Sequence, residues 1–120
     1  MTNSYSYELG RRKDKFSVDI ASVIIFASEK GWSLRFQKEH MNHKKDSLHF
    51  IGLAKDFDLI INGKWIDKSD TPEWIEIGTY WKSLSKDGIE NCWGGDFDFN
   101  KDGVKFDDGN HLSIAFNGMK

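Results

Sequence analysis

One cysteine, Cys92, stands in the whole chain, which excludes an intramolecular disulfide and fits synthesis in a reducing compartment. One proline, Pro72, and the lack of any Pro/Ser-rich, repetitive or low-complexity tract exclude a recognisable linker, so residues 1–120 are expected to form one domain. Neither charge sign dominates. The 17 basic and 19 acidic residues mix along the chain to give a net charge of −2, which excludes the broad basic surface that nucleic acid or anionic lipid demands. Long apolar runs are missing too. The segment RRKDKFSVDIASVIIFA imitates an export signal, but its apolar part, Ile20 to Ala27, is short and is broken by Ser22 and preceded by Asp19. It reads as an amphipathic helix, neither a leader nor a membrane span.

What is present points to an α+β chain. Phe16, Ile20, Val23, Ile24 and Ala27 recur at helical spacing and Gly31 supplies a stop, predicting a first helix over residues near 15 to 30. Trp32 to Phe36 alternates like a short strand. Leu53 to Ile61 predicts a second strand, ending in the hairpin dipeptide Asn62-Gly63 with Lys64 to Ile66 returning. Thr71-Pro72-Glu73 reads as N-cap, first helical position and first-turn acid, with Trp74, Ile77, Trp81 and Leu84 along one face and Asp87-Gly88 as the end. The last thirty residues read as turns and short strands, punctuated by Gly94-Gly95, Asp102-Gly103 and Asp108-Gly109.

The stretch SLHFIGLAKD places His49 and Asp56 around a short apolar segment, although burying either group without a partner costs several kcal/mol. A metal, a partner charge or solvent exposure could compensate. On a strand, Ala54, Asp56 and Asp58 share one face and Lys55, Phe57 and Leu59 the other, while Gly52 lets the chain bend so that His49 converges on Asp56. A second cluster, Asp108 and His111, lies in DDGNHLSIAF. Two histidines, one carboxylate and a water complete an open tetrahedral zinc site, with Asp108 spare as a base. By spacing alone other triples compete. His40 and His43 sit among charged residues and are expected to be exposed, Cys92 is expected to be a buried small hydrophobe, and Trp93 a packing residue. In DFDFNKDGVKFDDG, Asp98, Asn100, Asp102 and Gly103 match the start of a calcium loop, but position twelve is Gly109 where a glutamate belongs. An acidic turn is the competing reading.

The same residues carry a resemblance. Ser47, His49, Gly52, Ala54 and Asp56 resemble the S-x-H-x-x-G-x-A-x-D signature of zinc peptidases that cut peptidoglycan peptides, a group of D-alanyl-D-alanine carboxypeptidases and dipeptidases and phage L-alanyl-D-glutamate endolysins. Cys92-Trp93-Gly94-Gly95 is similar to the family's W-G-G segment and Asp108 to His111 to its D-x-x-H. The resemblance implies a hedgehog-type fold, a small antiparallel-rich sheet packed with two or three helices. It implies His49, Asp56 and His111 as zinc ligands, Asp108 as catalytic acid/base, and Arg35 and Ser47 at the substrate. Leu112 and Ser113 after His111 depart from the family's usual Phe-Glu, and Arg35 is the nearest match to its upstream arginine.

The expected function is amide hydrolysis in peptidoglycan stem peptides, with the phage endolysins most similar in size. Their example implies a monomer made in host cytoplasm, without a separate wall-binding domain, that reaches the wall after the membrane is opened. A D-alanyl-D-alanine carboxypeptidase or dipeptidase and a catalytically silent wall-binding module are the alternatives.

Overall fold

A computed structural model describes residues 4–38, 47–49 and 51–120; His40 and His43 lie outside them. Among the described residues two α-helices pack on a small antiparallel sheet, so the expected α+β class holds. In chain order the elements are α1 (Ser4–Glu29), β1 (Ser33–Phe36), β2 (Ala54–Ile61), β3 (Lys64–Trp65), α2 (Pro72–Ser83), β4 (Asn91–Trp93) and β5 (His111–Ile114), with a short 3₁₀ turn, Gly94–Asp96, after β4. The sheet runs β1-β2-β5-β4, and β3 pairs with the far end of β2.

Helix α1 begins about ten residues earlier than the apolar period predicts. Its first turns carry no apolar stripe; Glu8 pairs with Arg11 at 3.0 Å and with Arg12 at 3.5 Å, and Arg12 Nη1 donates to the Ala115 carbonyl at 3.0 Å. Of these partners only Ala115 is tertiary, 103 positions from Arg12. From Phe16 onward the predicted stripe is the buried one: Phe16, Ile20, Val23 and Ala27 face the core, and Phe16 meets Trp81 of α2 edge-on at 5.8 Å. The helix stops at Gly31 as expected, with Trp32 N–H bonded to Ala27 O and Gly31 N–H to Ser28 O.

The start of α2 follows its sequence signal. Thr71 Oγ1 accepts from Trp74 N–H, Pro72 opens the helix, and Trp74, Ile77 and Trp81 form its buried face. Trp81 Nε1–H then donates to the carbonyls of both Cys92 and Ser113 at 3.0 Å, tying α2 to β4 and β5. Asp87-Gly88 does not end this helix. Ser83 does, and Asp87-Gly88 forms the tip of a separate two-residue turn in which Lys86 and Ile89 exchange backbone hydrogen bonds. Asp-Gly suits a turn with positive φ at both centres, here +54° and +75°, better than a helix end.

A buried polar strut crosses the same region. Lys15 Nζ pairs with Asp19 and donates to the Leu84 carbonyl and to Asn91 Oδ1, both at 2.8 Å, and Asn91 Nδ2 donates to Asp19 at 3.0 Å. Every charge in it has a partner, as burial requires.

Candidate metal centre

The sheet register builds the site. In the antiparallel pair of β2 and β5, Asp56 stands directly opposite His111, so both side chains leave the same face. His49 comes from the turn before β2. There Leu53 N–H bonds to Leu48 O at 2.8 Å and Gly52 N–H to His49 O at 3.3 Å, a helix-ending motif whose penultimate residue must take positive φ. Gly52, at φ +82°, takes it. The bend turns His49 back over the strand, as the sequence predicts.

Three ligand atoms converge as a result. Asp56 Oδ1 lies 3.6 Å from His49 Nε2 and 3.4 Å from His111 Nδ1, and the ligand atoms of the three residues all fall within 4.8 Å of one another. Two ligands placed about 2.0–2.1 Å from one ion at a tetrahedral angle stand roughly 3.3 Å apart. The His–Asp separations are close to that figure. His111 is 6% exposed and neither of its ring nitrogens has a hydrogen-bond partner, a cost that a bound cation would reduce at the nitrogen facing Asp56. Among the described residues this is also the one grouping of three or more His, Cys, Asp or Glu side chains able to hold an ion. The residues fit a metal of the zinc class, with two imidazoles and one carboxylate leaving a fourth position open.

Asp108 flanks the triad. Its Oδ2 lies 3.7 Å from His111 Nδ1, too far for a hydrogen bond and on the edge of the cluster. Burial pushes its carboxyl above the usual carboxylate range against the opposing pull of His111, and the nearby Asp56 and Asp107 push the same way. The turn carrying it is held from several sides. Asp108 N–H bonds to Gly94 O, His111 N–H to Asp108 O, Trp93 Nε1–H to Gly109 O at 2.6 Å, and Gly109 N–H to Ser69 Oγ at 3.0 Å.

The other expected site residues are placed less centrally. Arg35 is exposed on β1 opposite Asp58, and its Nε donates to Ser33 Oγ at 3.1 Å. Ser47 sits in the turn below His49, its carbonyl accepting from Ile51 N–H. In the proposed calcium loop, Asp98 accepts from the N–H groups of Asp102 and Gly103, Asn100 from Asp102 N–H, and Asp102 from Val104 N–H. These bonds make the segment a chain of side-chain-capped turns, which accounts for its acidic spacing.

Sequence reasoning missed three supports. Gln37 N–H donates to Asp56 O at 2.9 Å while its amide reaches Asp58 Oδ1, fixing the ligand-bearing part of β2. Phe97 lies against the His111 ring at 5.6 Å. Ser69, forty positions from Gly109, carries no local signal at all. A cleft of about 190 Å³ also opens on Asp108, bounded by β2, the segment after β3 and the turn before β5.

No protein-family model matches the chain, and no curated protein shows significant similarity to it.

Proposed function

We propose that the protein is a zinc-dependent peptidase of peptidoglycan stem peptides with the hedgehog-type fold, acting as an L-alanyl-D-glutamate endopeptidase of the phage endolysin kind. One observation carries the reading: His49 and Asp56, from one signature, and His111, from another more than fifty residues later, present ligand atoms within 4.8 Å of one another, with Asp108 beside them. That arrangement is the one which the resemblance to these peptidases requires.

His49, Asp56 and His111 would hold the ion, and zinc supplies there a Lewis acid that polarises a carbonyl and acidifies water. The chain's own residues do the remainder. Asp108, ionised, takes the proton of the attacking water and, once protonated, hands it to the departing amine as the peptide bond breaks. Phe97, beside His111, limits water on that flank.

Mass spectrometry of peptidoglycan digested by the zinc-loaded chain tests this. New amino-terminal glutamate is the expected product. Released D-alanine would instead assign a carboxypeptidase, and intact peptidoglycan with zinc bound would refute the peptidase reading in favour of a binding module.

A further inference from the structure

We propose that Ser69 is a positioning residue for Asp108: by holding the peptide plane that follows Asp108, its hydroxyl sets the direction of the carboxylate beside the metal centre. This rests on the peptidase reading above.

The two rigid peptide planes flanking a Cα fix its φ and ψ, and with them the direction in which its side chain leaves the chain. On the N-terminal side of Asp108, its own N–H bonds to Gly94 O at 3.2 Å. The plane on the C-terminal side is gripped at both ends. The Asp108 carbonyl accepts from His111 N–H at 3.0 Å, and Gly109 N–H donates to Ser69 Oγ at 3.0 Å. Of these three bonds only the last uses a side chain, so it alone can be removed by substitution.

The contact is close as well as polar. A Cβ on Gly109 would stand 2.2 Å from Ser69 Cβ and 2.3 Å from its Oγ, so it is the glycine that lets Ser69 come this near. The chain beyond is held by other groups: Gly109 O accepts from Trp93 Nε1–H at 2.6 Å, and Asn110 O from Phe57 N–H at 3.0 Å. Without the Ser69 hydroxyl, a part-buried N–H loses its partner and the plane after Asp108 keeps its grip at the carbonyl end alone.

Ser69 is itself fixed. In the segment between β3 and α2, Ile66 N–H bonds to Leu59 O and Ile66 O accepts from Trp74 Nε1–H, both at 2.8 Å. The Lys68 carbonyl accepts from Thr71 N–H at 3.3 Å and from its hydroxyl at 3.0 Å. The segment thus offers a fixed point against which the turn is set. His111 owes its own place to its register opposite Asp56, so metal binding should survive a change that disturbs Asp108.

The test is steady-state kinetics of the zinc-loaded full chain on a soluble stem pentapeptide that contains both the L-alanyl-D-glutamate and the D-alanyl-D-alanine bond. Ser69→Ala should lower kcat per bound zinc by about tenfold or more, the scale on which a slightly misplaced reacting group loses rate. KM and zinc stoichiometry should stay near wild type. Ser69→Thr, which keeps the hydroxyl, should restore most of the loss. Should Ser69→Ala fail to fold, Ser69→Cys takes its place, because a thiol is a poor acceptor.

A purely structural role would lower the melting temperature and leave kcat per bound zinc unchanged, and that result overturns the proposal. So does a Ser69→Thr variant no faster than Ser69→Ala. If the wild-type chain binds zinc and cuts neither bond, the peptidase reading fails and the role of Ser69 falls with it; a wild-type chain that cuts, matched by its variant, overturns the role of Ser69 alone.

Discussion

A Cβ placed on Gly94 would stand 1.8 Å from the carbonyl oxygen of Asp108 and 2.9 Å from the Cβ of His111. The backbone after β4 is thus pressed against the turn that carries Asp108 and leads into His111. The obstruction is backbone, which cannot rotate aside. Gly94→Ala should therefore displace that turn, costing about 1–3 kcal/mol in stability as overpacked sites do. Zinc affinity should fall with it. Chelator competition and thermal unfolding check the pair of effects, and a variant that keeps wild-type zinc affinity would show that the turn tolerates the shift.

Asp108 and His111 should separate cleanly by mutation. Asp108→Asn removes the proposed proton carrier while leaving His49, Asp56 and His111 in place, so added zinc should still bind at one equivalent. Turnover on peptidoglycan should drop by about 10²–10⁴-fold, the usual contribution of general acid–base catalysis. His111→Ala should lose the metal itself. Full turnover in Asp108→Asn would remove the assigned role.

The strut inside α1 gives a prediction that does not depend on function. Asp19 is 6% exposed and is met by Lys15 and by Asn91. Lys15→Met leaves a buried carboxylate without its cation, and should destabilise the fold by about 3–5 kcal/mol in denaturant unfolding. The double variant Lys15→Met/Asp19→Leu should lose less than the single one, because it removes both charges together. A larger loss in the double variant would mean that the pair is a net source of stability.

Where a signal was local, the sequence made it legible. Asn62-Gly63 turns β2 into β3, Thr71-Pro72 starts α2, and Gly52 bends the chain at His49, because each needs only its neighbours' backbone geometry. The His49–Asp56–His111 grouping was legible for a different reason: the alternation that sets Asp56 on a face holds in β2, and the D-x-x-H spacing puts His111 at the start of β5. Their direct opposition was not readable, since strand register depends on contacts between segments far apart. The early turns of α1 escaped because Arg12 finds Ala115 only in the folded chain. Ala54 shows the limit of alternation. It shares a face with half-buried Asp56 yet is 1% exposed and belongs to the core, because β2 is covered on both sides at that end.

Cys92 supplies a prediction about pH. Burial pushes its thiol up to about 11, with the Glu90 carboxylate acting in the same direction. A raised folded-state value means that the native state holds the thiol proton more tightly than the unfolded chain does. The associated stability is fully present below the unfolded-state value of about 8.5 and is lost as pH climbs through about 11. Iodoacetamide at pH 8 should accordingly modify the native chain far more slowly than the urea-unfolded chain. Melting temperature should decline between pH 9 and 11, and this decline should be shallower in Cys92→Ala, where the titrating group is gone. Identical pH profiles for the two proteins would show that the thiol does not contribute, leaving lysine and tyrosine titration as the cause.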